Sequence, residues 1–226
     1  MLVARRSLIV SAQAAAGNPL RGPHFMAAMA LAAEQGGAAA IRAEGVADIA
    51  AIRAAVRVPI IGLIKLDLPA EQVRITTSLA DAAAAIGAGA DMVAIDATLR
   101  PRNGPPAREL IGRIRAELGR PVLADVATLA EGEAAAAAGA EAVATTLAGY
   151  TEETADLAGP AIALVRALAG RLGVPVVAEG HYQEPAQVAA AIAAGAHAVV
   201  VGTAITNPRE ITRRFAAVMS ARGPAA

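Results

Sequence analysis

Short apolar segments alternate with alanine-rich stretches of helical spacing along almost the whole chain. Eight of the segments are rich in β-branched residues: SLIVSAQA, GGAAAIRAE, VPIIGLIK, GADMVAIDAT, RPVLADVAT, GAEAVATTLAG, VPVVAEG and GAHAVVVGTA. After the first, their openings alternate strictly between Gly-Ala and a proline. Such short apolar runs predict strands buried on both faces. Between them, Phe25 to Glu34, Leu79 to Ile86, Leu110 to Leu118 and Pro160 to Leu172 predict helices. A proline at the start of a strand is tolerated because its missing N–H falls at the end of the ladder. The glycine before each GA strand predicts a left-handed end to the preceding helix.

Strands that alternate with helices over connections of a few residues argue for right-handed βαβ units and a parallel sheet. Eight such units close into a (β/α)8 TIM barrel. A doubly wound open sheet would normally carry a Gly-rich first turn, and no GxGxxG follows the first strand. A chain of 226 residues suits one barrel, so a single α/β domain is expected over residues 1–226.

Charge narrows the choice of partners. Acidic and basic residues balance at 20 each with no basic block, which argues against nucleic acid or a polybasic membrane patch and for a small solute. The absence of cysteine excludes disulfides, thiolate catalysis and cysteine-bound metals. His24, His181 and His197 are too scattered for zinc-ligand spacing, so no metal is expected. Arginines precede an apolar stretch near the N-terminus, but that stretch is short and reads as the first strand. No run approaches the roughly 18 apolar residues of a spanning helix, and a cytoplasmic protein is expected.

The strand ends carry the chemistry. Their last residues are Gln13, Arg42, Lys65, Asp96, Asp125, Thr145 with Thr146, Glu179, and Gly202 with Thr203. In a barrel these converge on one mouth, the face that holds active sites in this fold. Lys65 is the only lysine among 20 basic residues. A lysine can lose its proton and act as a base or nucleophile where an arginine cannot. Glycines after the seventh and eighth strands, in Glu179-Gly180-His181 and Val201-Gly202-Thr203, let backbone amides approach an anion, so Gly180, His181, Gly202 and Thr203 are expected to hold a phosphate.

With these motifs in hand, the chain resembles the N-acetylmannosamine-6-phosphate 2-epimerase family. The resemblance runs from SLIVSAQA to AITNPREITRRF, through QGGAAAIRAEGV, GLIKLD, MVAIDATLRPR, LADVATLAEGEAAAAAGAE, TTLAGYT, VPVVAEG and AHAVVVGTAIT. It implies interconversion of N-acetylmannosamine 6-phosphate and N-acetylglucosamine 6-phosphate, in amino-sugar and sialic acid catabolism. The chemistry is proton abstraction and return at C2, α to the aldehyde of the open-chain sugar, with no cofactor. By the same resemblance Lys65 and Glu179 are the catalytic residues, Gln13, Arg42 and Asp125 bind the substrate, and Asp96 orients Lys65 or binds the sugar; Thr146, at the end of the sixth strand, is expected to bind the substrate with them. Arg42, if close to Lys65, would favour the neutral amine by like-charge repulsion. For Asp96 and Asp125, capping of the following loop is the competing role.

The chain departs from the family at several points. Ala12 stands where the family often has a cysteine, and His181 and Asn207 stand where it often has arginine. GLIKLDLPAEQVRITTS also lacks the usual aromatic after the lysine and a second proline. These differences bear on phosphate holding more than on reaction type. A Schiff-base aldolase or lyase would use a lone lysine too, and a barrel that binds a sugar phosphate without catalysis is a third reading. The ITRRFAAVMSARG segment reads as an amphipathic helix and, with the resemblance, implies a homodimer.

Overall fold

In the computed structural model, which describes residues 1–66 and 73–220, eight parallel strands close into a barrel in sequence order. The strands are β1 (Ser7–Ala12), β2 (Ala40–Glu44), β3 (Ile60–Leu63), β4 (Met92–Asp96), β5 (Val122–Asp125), β6 (Ala142–Ala144), β7 (Val176–Glu179) and β8 (Ala198–Val201). The helices between them are α1 (Pro23–Gln35), α2 (Val46–Ala55), α3 (Leu79–Gly87), α4 (Ala107–Leu118), α5 (Leu129–Ala137), α6 (Ile162–Arg171) and α7 (Pro185–Ala193). The short α8 (Thr203–Thr206) and the longer α9 (Pro208–Ser220) follow β8. The last three residues of the expected C-terminal helix, and Asp67 beyond the lone lysine, lie outside the described residues.

The alternating strand openings have distinct physical causes. Each GA pair completes a helix stop. Gly37, Gly89, Gly139 and Gly195 all have φ between 93° and 113°, a region closed to most side chains. At each stop the alanine after the glycine donates its N–H five residues back: Ala38 to Ala33, Ala90 to Ala85, Ala140 to Ala135 and Ala196 to Ala191. The glycine itself donates three residues back, and the pair of bonds is a Schellman motif. The alanines are buried, so the stop delivers the chain directly into the core. The proline openings are strand starts: the carbonyls of Pro59, Pro121 and Pro175 accept from Ile41, Val93 and Val143 of the preceding strands.

Period-two alternation sorts the strand residues between two cores. Ile9, Ala40, Ile61, Leu63, Met92, Ala94, Leu123, Ala142, Ala144, Val177, Ala198 and Val200 fill the barrel interior. The residues between them pack outward against the helices. Helix starts are equally local. Ser78 with Asp81, and Thr128 with Glu131, form capping boxes at α3 and α5, and Pro23 and Pro185 open α1 and α7. Glu131 also accepts from the N–H groups of Leu99 and Ala127, which ties the loops after β4 and β5 together.

Candidate active site

The inward face of each strand continues past the apolar interior into the mouth of the barrel. Two residues beyond Ile9, Ala40, Ala94, Leu123, Ala144, Val177 and Val200 stand Ser11, Arg42, Asp96, Asp125, Thr146, Glu179 and Gly202. Two residues beyond Ser11, Arg42 and Leu63 stand Gln13, Glu44 and Lys65. The alternation that keeps apolar side chains inside therefore aims the next polar one at the opening. All of these except Asp125 line a cavity of about 930 Å³, together with Gly180, His181 and Thr203.

A buried ion-pair network forms one wall. Arg42, from β2, donates from Nη1 to Asp125 Oδ1 at 2.9 Å and from Nη2 to Asp125 Oδ2 at 2.5 Å, a bidentate pair across the barrel to β5. The same Nη1 donates to Glu179 Oε2 at 2.8 Å. Thr146 Oγ1 donates to Asp125 Oδ1 at 2.7 Å and to Glu179 Oε2 at 3.1 Å. Thr145, one residue earlier and turned the other way, holds the Glu179 backbone by accepting its N–H and donating to its carbonyl.

One guanidinium thus serves two carboxylates, and Asp125 takes the larger share. Burial disfavours the Glu179 carboxylate, Arg42 opposes that, and the Asp125 charge adds to it, so the Glu179 pKa is pushed up to about 7. Burial alone would lower Arg42, but the two carboxylates outweigh it and hold the proton more firmly than usual. Arg42 and Asp125 are buried, whereas Glu179 keeps 13% exposure to the cavity.

Lys65 stands on the opposite wall, since β3 and β7 are four strands apart in a ring of eight. Its amine donates to Gln13 Oε1 at 2.7 Å and lies 3.1 Å from Glu44 Oε2. Arg42 does not face it as a bare cation, because its Nη groups are committed to Asp125 and Glu179. Glu179 senses the Lys65 charge across the mouth, which lowers its pKa slightly against the larger effect of burial.

Asp96 turns toward its own loop. Oδ1 accepts from the N–H and hydroxyl of Thr98, and Oδ2 accepts from Arg100 at 2.8 Å. Arg102 lies beside it and donates to the carbonyls of Asp96 and Thr98. Burial raises the Asp96 pKa despite these partners. Its bonds are those of a loop anchor that presents Arg100 to the cavity.

On the β7 and β8 side, Gly180 has φ 106° and His181 φ 61°. The His181 ring stacks on Tyr150 with centroids 4.6 Å apart. Gly149 makes room for that ring, because a Cβ there would sit 2.6 Å from His181 Nε2. Gly202 leaves the backbone open beside Ser11, whose Cβ would lie 3.3 Å from an added methyl.

Reasoning on strand ends passed over Ser11, Glu44, Arg100 and Tyr150. The period-two rule, carried one step beyond Arg42 and one step back from Gln13, would have found Glu44 and Ser11. No comparable signal marks Arg100 and Tyr150, which loops carry into the mouth.

The family described as "Putative N-acetylmannosamine-6-phosphate epimerase" matches residues 26–221. A protein from Enterobacter sp. (strain 638) named "Putative N-acetylmannosamine-6-phosphate 2-epimerase" is 47% identical over 97% of this chain and 95% of its own. A protein of the same name from Thermosynechococcus vestitus is 49% identical over 96% and 95%. The solved N-acetylmannosamine-6-phosphate 2-epimerase from Clostridium perfringens superposes with a TM-score of 0.91 at 39% identity, covering 96% of this chain and 94% of that one. Thiamine phosphate pyrophosphorylase from Pyrococcus furiosus, at a TM-score of 0.63 and 14% identity over 92% and 90%, shares the fold alone. With a match that begins inside α1 and ends just past α9, and near-half identity over almost the full length, the chain belongs to the N-acetylmannosamine-6-phosphate epimerase family.

Proposed function

We propose that this chain interconverts N-acetylmannosamine 6-phosphate and N-acetylglucosamine 6-phosphate by moving a proton at C2 of the open-chain sugar. The observation that carries the reading is the placement of Lys65 and Glu179 on opposite walls of one cavity, with Glu179 pushed up to about 7. Inversion at a carbon requires a proton to leave one face and return to the other. An amine on one wall and a carboxyl poised near neutral pH on the other meet that need without a cofactor.

In one direction Lys65 takes the C2 proton as Glu179 delivers one, and in the reverse direction the roles exchange. The working state of the pair therefore holds one proton between the two groups. Charge that develops on the C1 oxygen as the enediolate forms needs donors, and Arg100 and Gln13 line the same cavity. Arg42, Asp125 and Thr146 serve the substrate by fixing the Glu179 carboxylate. Asp96 serves it through Arg100. The phosphate is assigned to the backbone of Gly180, His181, Gly202 and Thr203, where two glycines remove the side chains that would keep an anion away. A doubly charged sugar phosphate does not cross membranes unaided, which supports a cytoplasmic reaction if its substrate is made there. Among the described residues no helix is long and apolar enough to cross a membrane.

The test is incubation with N-acetylmannosamine 6-phosphate in heavy water, with C2 followed by NMR. Two groups on opposite faces put solvent deuterium into the product at the first turnover while unreacted substrate keeps its hydrogen. Product that retains the original hydrogen throughout would overturn the two-wall assignment. Absence of any conversion to N-acetylglucosamine 6-phosphate by the folded protein would overturn the reaction itself. Borohydride added with substrate leaves Lys65 unmodified in this mechanism, whereas a Schiff-base enzyme would be trapped.

A homodimer formed through α9 completes the proposal. Ile211, Phe215, Val218 and Met219 recur at helical spacing, and Phe215 and Met219 are 73% and 87% exposed in the single chain. Such a stripe needs a partner surface.

A further inference from the structure

Glu44 ends β2 beside the strand that carries Lys65. The β2–β3 register sets Glu44 against Leu63, and Lys65 follows Leu63 on the same inward face. The Glu44 carboxylate lies 3.1 Å from Lys65 Nζ, while Gln13 Oε1 accepts from the same amine at 2.7 Å. Gln13 is itself oriented, because its amide donates to Ser11 Oγ at 2.9 Å. Three adjacent strands, β1, β2 and β3, therefore converge on one nitrogen. A lysine that is 43% exposed would otherwise sample many rotamers, and a base that wanders meets its proton rarely.

We infer that Glu44 is a positioning residue for the C2 proton transfer, holding the Lys65 amine with Gln13 so that its remaining valence faces the cavity. The inference rests on Lys65 being the base. It also has an electrostatic side: when the amine takes the C2 proton it becomes a cation, and the adjacent carboxylate stabilises that charge as it develops. The other charges around the pair are Glu179 across the mouth, Arg74 next to the Lys65–Ile75 bridge, Arg21 on the loop after β1, and Asp48 of α2, which faces Glu44. Among the described residues, Glu44 is the carboxylate in ion-pair contact with Lys65.

Glu44→Gln keeps the side-chain length and a hydrogen-bond acceptor but removes the charge, and Glu44→Asp keeps the charge on a shorter arm. Glu44→Gln is expected to lower kcat about 10- to 100-fold with KM within about twofold, the scale of a misplaced catalytic group. Glu44→Asp falls between it and the parent in kcat. Because Lys65 is the only lysine, protein labelled with [13Cε]lysine reports this amine by one resonance, independent of turnover. In Glu44→Gln that resonance moves from its parental position, because the carboxylate 3.1 Å from the amine has lost its charge. Parental kcat and an unmoved resonance in Glu44→Gln, with Lys65→Arg inactive, would overturn the role of Glu44 while leaving the base in place. An active Lys65→Arg would instead remove the base reading. If Glu44→Gln does not fold, Glu44→Asp carries the test, and parental kcat with an unmoved resonance in that variant overturns the proposal.

Discussion

Lys65 is where the two basic side chains stop being interchangeable. Lys65→Arg keeps charge and approximate reach but presents no free amine, so turnover should fall by about 10² to 10⁴ with normal circular dichroism. If the variant keeps more than about a tenth of parental turnover, Lys65 is a surface lysine and not the base. In the proposed mechanism Glu179 sets the acid side of the pH profile. The fold holds its proton up to about pH 7, and below that both members of the pair are protonated and neither accepts. Activity should therefore rise with pH through about 7 along a one-proton limb, in both directions, since both use the same one-proton state. Glu179→Gln removes the titrating group, so the limb should vanish from its residual activity; a limb unchanged in that variant would assign it elsewhere. The raised pKa has a stability consequence as well. The folded state binds this proton more tightly than the unfolded chain does, so its contribution is full below the ordinary carboxylate range and is lost as pH rises through about 7.

Each element owes its ends to a few residues, and glycine shows how far context decides. Gly62 in β3 faces α2 and α3 so closely that a Cβ would lie 2.5 Å from that of Ala90 and 3.1 Å from Ile49 Cδ1. Gly62→Ala should destabilise by about 1–3 kcal/mol through overpacking, and the shift should carry to Lys65, three residues on. Gly170, inside α6, has nothing within 4 Å of the same position and no positive φ. Gly170→Ala should stabilise by about 0.4–1 kcal/mol, because alanine loses less backbone freedom on folding. Denaturant midpoints of the two variants should therefore move in opposite directions. Boundaries were legible where a stop or a cap marks them and less so elsewhere. The expected helix at Leu110 begins at Ala107, because its first turn, Ala107-Arg108-Glu109, is largely exposed and carries no apolar signal. Residues Pro160 and Ala161 stand before α6 because Ala161, with ψ 55°, is not helical.

At the scale of the molecule, α9 is the element the single chain leaves half used. Light scattering should give a dimer mass at micromolar concentration, and Phe215→Asp should yield a monomer whose Tm no longer depends on protein concentration. A parental protein that stays monomeric would reject the pairing. The sequence by itself determined the barrel: parallel strands buried on both faces have no room for polar interruptions, and helix stops of Gly-Ala type are local, so both are written in consecutive residues. It determined also which strand side chains reach the mouth, because period two carries an inward face forward without further information. Partner choice within the mouth was decided by the tertiary structure alone. Arg42 meets Asp125, 83 residues away, and Glu179, 137 residues away, because closure of the ring brings β2, β5 and β7 together over one interior. Lys65 meets Glu44 for the same reason, through a register set by pairing along the whole strand. Strand alternation can say that a charge points inward; only the closed barrel, with its tilt and its spacing, says which charge it finds there.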